Sequence, residues 1–155
     1  MPSFISFIPT PPSHVNGFFQ LVNVSSYDVV YDLGCGDGRL LFAALEKGAG
    51  RAVGVELDPE PLKAAREEAK KREVEQKITF IQDDIMNVNL SSATIVFAYL
   101  CSAAALALKD KFEKELKPGT KVVMEMFPVP GWKPRRVIER GTDFYLYIMP
   151  PEPER

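Results

Sequence analysis

Hydrophobic positions change period repeatedly along the chain, and the changes mark out its elements. After the opening Pro9-Thr10-Pro11-Pro12, which proline's fixed φ keeps extended, Val15, Phe18, Phe19 and Val22 recur at helical spacing. They predict an amphipathic helix, weakened by Gly17. Asp28 to Leu33 is a β-branched run ending in glycines, the pattern of a buried strand that feeds a tight turn. Leu40, Leu41, Ala44 and Leu45 form one stripe of a helix over Arg39 to Lys47, which Gly48 ends. Ala52 to Leu57 predicts the next strand. Asp58 then caps a helix with Pro59 at its first position and Leu62, Ala65 and Ala69 facing inward. Glu67–Lys71 and Glu68–Arg72 pair along its wet side.

Ile78 to Gln82 and Thr94 to Leu100 predict two further strands. Ser102 is the expected cap of a helix bearing Ala105, Leu108, Phe112 and Leu116, stopped by Lys117-Pro118-Gly119. Lys121 to Phe127 predicts a fifth strand. Arg136 to Glu139 and Phe144 to Met149, around the turn Gly141-Thr142-Asp143, predict a closing hairpin. Strands alternating with helices imply an α/β fold: a mostly parallel central sheet, helices on both faces, and an antiparallel hairpin at the C-terminus. In such a doubly wound sheet, ligand is expected at the carboxyl ends of the first and fourth strands.

Composition narrows the classes. A chain of 155 residues suits one domain over 1–155, with room for a hydrophobic core and none for a second. Formal net charge is -2, so no whole-molecule field draws it to nucleic acid, and such a partner is disfavoured. Cys35 lies in the glycine turn and Cys101 follows an apolar strand; neither belongs to a disulfide framework, which predicts a reducing cytoplasm. His14 is the single histidine, and no Cys/His spacing suggests zinc. The opening residues do not read as a signal peptide. The apolar stretch from Ile95 towards Leu108 falls short of the roughly 20 residues a membrane span needs, so no insertion is expected.

The chemistry concentrates in Asp32-Leu33-Gly34-Cys35-Gly36-Asp37-Gly38. Its glycines let the backbone approach a ligand and aim amides outward from a helix N-terminus. A dinucleotide fingerprint wants its third glycine at position 39, where Arg39 stands. Asp32 would repel a pyrophosphate and suits a ligand carrying an ammonium group. Glu56 ends the second strand about twenty residues on, where an acid binds ribose hydroxyls. Asp84-Ile85 is placed to meet an adenine edge. Simpler roles stand beside these: Glu56 as a solvated strand end, Asp83 and Asp84 as turn or cap residues, Cys35 as a filler.

Val30 to Arg39, Val53-Gly54-Val55-Glu56 and Asp83-Asp84-Ile85 together resemble the motif series of class I, Rossmann-like S-adenosylmethionine-dependent methyltransferases. Phe7-Ile8-Pro9-Thr10-Pro11, Leu116-Lys117-Pro118-Gly119-Thr120 and Glu125 to Trp132 are similar to archaeal protein-lysine methyltransferases and the mitochondrial enzymes that modify an ATP-synthase c-subunit lysine. The resemblance implies S-adenosyl-L-methionine as cofactor. It implies that Asp32, Gly34 and Gly36 hold the methionine moiety, Glu56 with Leu57 beside it the ribose, and Asp84 with Ile85 the adenine. Thr10 would reach the cofactor's carboxylate from an arm and helix, residues 1–24, that cover the site. Ala98 to Leu100 would floor the methyl-transfer point, and Phe127 to Trp132 would wall the substrate entrance. The family often carries tyrosine where this chain has Phe7, so a hydroxyl contact is lost there.

The fourth strand ends Phe97-Ala98-Tyr99-Leu100, without the Asn- or Asp-Pro-Pro-aromatic sequence of amide and exocyclic-amine methyltransferases. Cys101 follows Leu100 instead of the proline common in cytosine methylation. Direct displacement on a good nucleophile remains, and an exposed lysine of a protein partner fits. Neutralising a lysine of pKa near 10.4 at pH 7 takes roughly 4–5 kcal/mol, which an aromatic channel of Tyr99, Phe127 and Trp132 would reduce. Tyr99 and Phe127 serve equally as core, whereas Trp132 between Gly131 and Lys133 favours a functional surface. His14 reads as a surface residue, and Lys133 to Arg136 as a solvated run that an acidic partner would meet. The rival readings are an RNA or small-molecule methyltransferase, and a non-catalytic S-adenosylmethionine-binding subunit.

Overall fold

The computed structural model describes residues 12–139 and 141–154. The elements, in chain order, are α1 (Pro12–Leu21), β1 (Val29–Leu33), α2 (Arg39–Glu46), β2 (Arg51–Glu56), α3 (Pro59–Lys71), β3 (Ile78–Gln82), a 3-10 turn (Ile85–Asn87), β4 (Ile95–Tyr99), α4 (Ser102–Glu115), β5 (Lys121–Glu125), β6 (Trp132–Lys133), β7 (Arg136–Glu139), β8 (Asp143–Ile148) and β9 (Glu152–Pro153). Seven strands form one sheet in the order β3-β2-β1-β4-β5-β8-β7. β1 to β5 run parallel, and β8 returns antiparallel against β5 with β7 outside it. This is the α/β architecture with a terminal hairpin that the periodicity predicts.

The two faces of the sheet separate cleanly. Alternation along the strands sends Val30, Ala52, Ile78, Phe97, Val123 and Phe144 towards α1, α2 and α3. It sends Tyr31, Val53, Val96, Val122 and Tyr147 towards α4. Helical stripes complete each layer: Phe18 and Leu21 of α1 with Leu40, Leu41 and Ala44 of α2 on the first, Ala105, Leu108 and Phe112 of α4 on the second. Burying a side chain such as Phe18 or Phe97 contributes about 1.5–3 kcal/mol each. Gly54 shows how tightly the first layer closes, because a Cβ there would lie 2.5 Å from the Cys35 sulfur and 2.8 Å from a Leu41 methyl.

Two local expectations are corrected, and one pairing appears that the pattern did not predict. The fifth strand stops at Glu125 instead of Phe127, because Met126 takes φ 73 and its N–H turns to the Asp143 carbonyl at 2.7 Å. Cys101, extended at φ -76 and ψ 167, occupies the cap position of α4, and Ser102 is its first helical residue. The short β6–β9 pair has no periodic signal, being two residues per strand and containing Pro153.

Candidate active site

The strand order reverses between β1 and β4, since β2 and β3 lie to one side and β5 to the other. A crevice therefore opens at their carboxyl ends, where successive connections leave in opposite directions. The turn after β1 enters it from a fixed anchor. The N–H groups of Gly34 and Cys35 both donate to the Val55 carbonyl, at 2.8 and 3.0 Å, so the turn is tied to β2. Gly38 closes the turn at φ 83, a conformation glycine adopts without strain, and starts α2.

Glu56 reinforces that turn and is itself 1 % exposed, which removes the solvated strand-end role. One carboxylate oxygen accepts the Gly36 N–H at 2.9 Å, and the other accepts the Asp58 N–H at 3.0 Å. It thus links the glycine turn to the start of α3. Asp32 lies one strand away, 3 % exposed. Burial, and then the charges of Glu56, Glu125 and Asp37, push its carboxyl up to about 8. Asp37 is instead held below the usual carboxylate range by the Arg39 guanidinium, 2.6 Å away. Burial, and then the charges of Asp32, Glu56 and Asp37, also drive the Cys35 thiol far up, so it is an inert filler, not a nucleophile.

Asp84 and Ile85 follow β3 as expected, with a structural task visible. Asp84 caps the 3-10 turn by accepting the Met86 N–H at 2.9 Å, while Asp83 accepts from the Asp84 N–H and the Asn87 amide. Ile85 is buried in the α4-side core. Leu57 is half-buried just past β2. Ala98 is buried in register with Leu33 and Met124, beneath the reversal point. Thr10 and the arm lie outside the described residues.

The three aromatic candidates do not converge. Tyr99 ends β4 on the α1 side. Phe127 packs against the α4-side cluster. Trp132 is 3 % exposed on that same α4 side, between Phe112 and Tyr147, with its indole N–H donating to Glu113 at 2.9 Å. Trp132 is core, not channel: the β6–β9 pairing folds the segment inward despite its polar flanks. The following basic run is also engaged, Arg135 near Glu152 at 3.7 Å and Arg136 on the Gln20 carbonyl at 3.4 Å.

Two residues join the site that the sequence pattern did not place there. Glu125 ends β5 with its side chain wholly buried, in register with Tyr99 on β4 and Phe144 on β8. His14 reaches it from α1, its Nδ1 in contact with Oε2, and its ring meets the edges of Tyr99 and Phe144. The expectation of a surface histidine is thus corrected. Position 14 is one helical turn before Phe18, on the stripe that packs against the sheet. Glu125 obeys the rule that singled out Asp32 and Glu56, an acid closing a buried strand, and reading the strand to Phe127 hid it.

At the carboxyl ends of β1, β2 and β5, then, three buried acids lie on one face of the sheet, with His14 against Glu125. These acceptors fit a positively charged ligand with hydroxyls and an ammonium group, and oppose a diphosphate. Comparison with known proteins agrees. The model of the ANTKMT methyltransferase domain matches residues 32–136. A protein-lysine N-methyltransferase of Saccharolobus islandicus is 38 % identical over 94 % of this chain and 94 % of its own length. The human lysine N-methyltransferase of the ATP-synthase c-subunit is 30 % identical over 90 % of this chain, which spans only 59 % of that protein. A crystal structure described as an RNA methyltransferase from Salinibacter ruber with S-adenosyl-L-homocysteine superposes with a TM-score of 0.89, at 36 % identity, covering 96 % of this chain and 97 % of that one.

Proposed function

Since the chain belongs to the ANTKMT methyltransferase domain family, we propose that it transfers the methyl group of S-adenosylmethionine to the ε-amine of lysine on a protein partner. The observation that carries this reading is the end-to-end match to a relative named for protein-lysine methylation. The site supports it physically. Asp32 takes the cofactor's ammonium, and the backbone of Gly34 and Gly36 its methionine end. Each Glu56 oxygen already accepts one backbone N–H and keeps a second lone pair for a ribose hydroxyl. Asp84, Ile85 and Leu57 border the adenine and ribose, and Ala98 lies under the transfer point.

S-adenosylmethionine supplies an activated methyl group, so the protein must align the reactants and desolvate the amine. Tyr99 offers an aromatic edge at the end of β4, on the same face as Asp32. Bringing a lysine ammonium there disfavours its charged form by burial, and the cofactor's own positive charge adds repulsion. The reacting amine thereby approaches neutrality without the Asn- or Asp-Pro-Pro element of amide methyltransferases.

An RNA acceptor is the second reading, favoured by the description of the Salinibacter ruber structure. Purified protein with tritiated S-adenosylmethionine should be offered a cellular protein mixture and, separately, total RNA. Protease-sensitive label, located on lysine by mass spectrometry, is the expected result. Label sensitive only to ribonuclease would replace the lysine reading with the RNA one. Among the described residues, no helix is long and apolar enough to cross a membrane.

A further inference from the structure

We propose that Glu125 is the group that receives the substrate's ε-ammonium, held in place by His14 and Thr142; this rests on the lysine reading above. Its side chain is fully buried, yet among the described residues only one of its oxygens has a partner. Oε2 accepts the Thr142 hydroxyl at 2.8 Å and touches Nδ1 of His14. Oε1 is shielded from water and has no hydrogen-bond partner among the described residues.

Such a group is costly as architecture. A buried carboxylate oxygen without a donor loses solvation that no described residue returns, and an apolar side chain of similar volume would suit the neighbouring Val123 and Phe144 better. The arrangement makes sense when a cationic N–H donor completes it. A lysine ammonium carries three donors and one positive charge, which an unused carboxylate oxygen matches. S-adenosylmethionine's own ammonium is accounted for by Asp32, on β1; Glu125 stands two strands across, past β4 and Tyr99, on the acceptor side.

The groups facing Glu125 have distinct tasks. From α1, His14 lies against it; from the turn before β8, Thr142 donates to it; from β4, Tyr99 stands beside it; from β1, Asp32 feels its charge. Burial raises Glu125's proton affinity, while Thr142 and His14 lower it. Raised on balance by that burial, the carboxyl can take a proton from an ammonium that burial and the neighbouring sulfonium charge make more acidic. The proton passes from the ε-ammonium to Oε1; the freed lone pair then bonds the methyl carbon as the carbon–sulfur bond breaks, its electron pair staying on sulfur. The proton held on Oε1 is lost to solvent once the methylated lysine departs and uncovers it. Glu125 is therefore the catalytic residue, since it touches the reacting amine, and His14 is a positioning residue.

Glu125→Gln keeps the shape and the Thr142 contact but removes the charge. Two readouts test it: calorimetric titration of n-butylammonium, a lysine side-chain mimic, into protein saturated with S-adenosylhomocysteine, and methyl transfer to poly-L-lysine from pH 6 to 10. The expected result is at least tenfold weaker butylammonium binding, with S-adenosylhomocysteine affinity unchanged within threefold. At pH 7, kcat/KM falls at least 30-fold, and the deficit shrinks towards pH 10, where free amine is abundant. Glu125→Asp recovers part of the rate, and His14→Gln shifts the pH profile without weakening cofactor binding. Glu125→Gln with wild-type butylammonium affinity and a kcat/KM within threefold at every pH overturns the assignment while leaving lysine methylation standing. Transfer by the wild-type protein to RNA alone overturns both.

Discussion

Asp32 provides the sharpest test, because its removal should strengthen the empty protein and ruin the site. The carboxyl is raised from 3.8 to about 8 by burial and by the charges of Glu56, Glu125 and Asp37. The folded protein therefore keeps a proton at pH 7 that the unfolded chain has released. With about 1.36 kcal/mol for each pH unit above 3.8, this costs roughly 4 kcal/mol of stability at pH 7. The sign follows from the raised value: the penalty is absent below about pH 4, grows as pH rises, and is complete above about pH 8. An asparagine in its place would fill the same space and never ionise. Asp32→Asn should thus raise the unfolding free energy at pH 7 by about 2–4 kcal/mol, allowing for imperfect partners for the new amide. Urea denaturation from pH 5 to 9 reads this, and the variant's advantage should widen with pH. In calorimetry at pH 8, where about half of the wild-type carboxyl is already ionised, S-adenosylhomocysteine affinity should fall about 10–100-fold, the worth of a charge-assisted hydrogen bond to the ligand's ammonium. A variant that is less stable than wild type at pH 8, or that binds the cofactor equally well, would refute the reasoning.

Three further outcomes are expected. Glu56→Gln sets an amide nitrogen against either the Gly36 or the Asp58 N–H, so it should lose about 1–3 kcal/mol of stability and loosen cofactor binding, read by denaturation and calorimetry. Trp132→Phe gives up the indole bond to Glu113 and some packing against Phe112 and Tyr147. It should cost about 1–3 kcal/mol in denaturant melts, yet leave methyl transfer per folded molecule unchanged. Gly54→Ala forces a methyl into Cys35 and Leu41 and should destabilise by roughly 1–3 kcal/mol. Combined with Cys35→Gly, it should cost less than the sum of the two single changes, the coupling expected of atoms in contact.

The cofactor end of the site was readable because its determinants are local. Gly34, Gly36 and Gly38 adopt φ of 89, 56 and 83, and the need for such angles is written in the residue type itself. Asp32 and Glu56 close strands whose apolar runs announce them. The acceptor end was not local. Trp132 looked exposed from its neighbours Gly131 and Lys133, and only the pairing with Glu152–Pro153 turns it into the α4-side core. Composition groups Phe127 with Tyr99, but the positive φ at Met126 sends it to the other layer.

By itself, the sequence determined the alternation of strands and helices, the parallel sheet with its antiparallel close, and the acid-flanked glycine turn, since each depends on periodicity or on one residue's backbone preference. Only the tertiary structure decided that His14 leaves the surface, that Thr142 comes across from the hairpin, and that both meet Glu125 beside Tyr99. His14 and Glu125 stand more than a hundred positions apart in the chain. No local pattern encodes their contact, because the order of strands in the sheet, not their order in the chain, sets which side chains share a crevice.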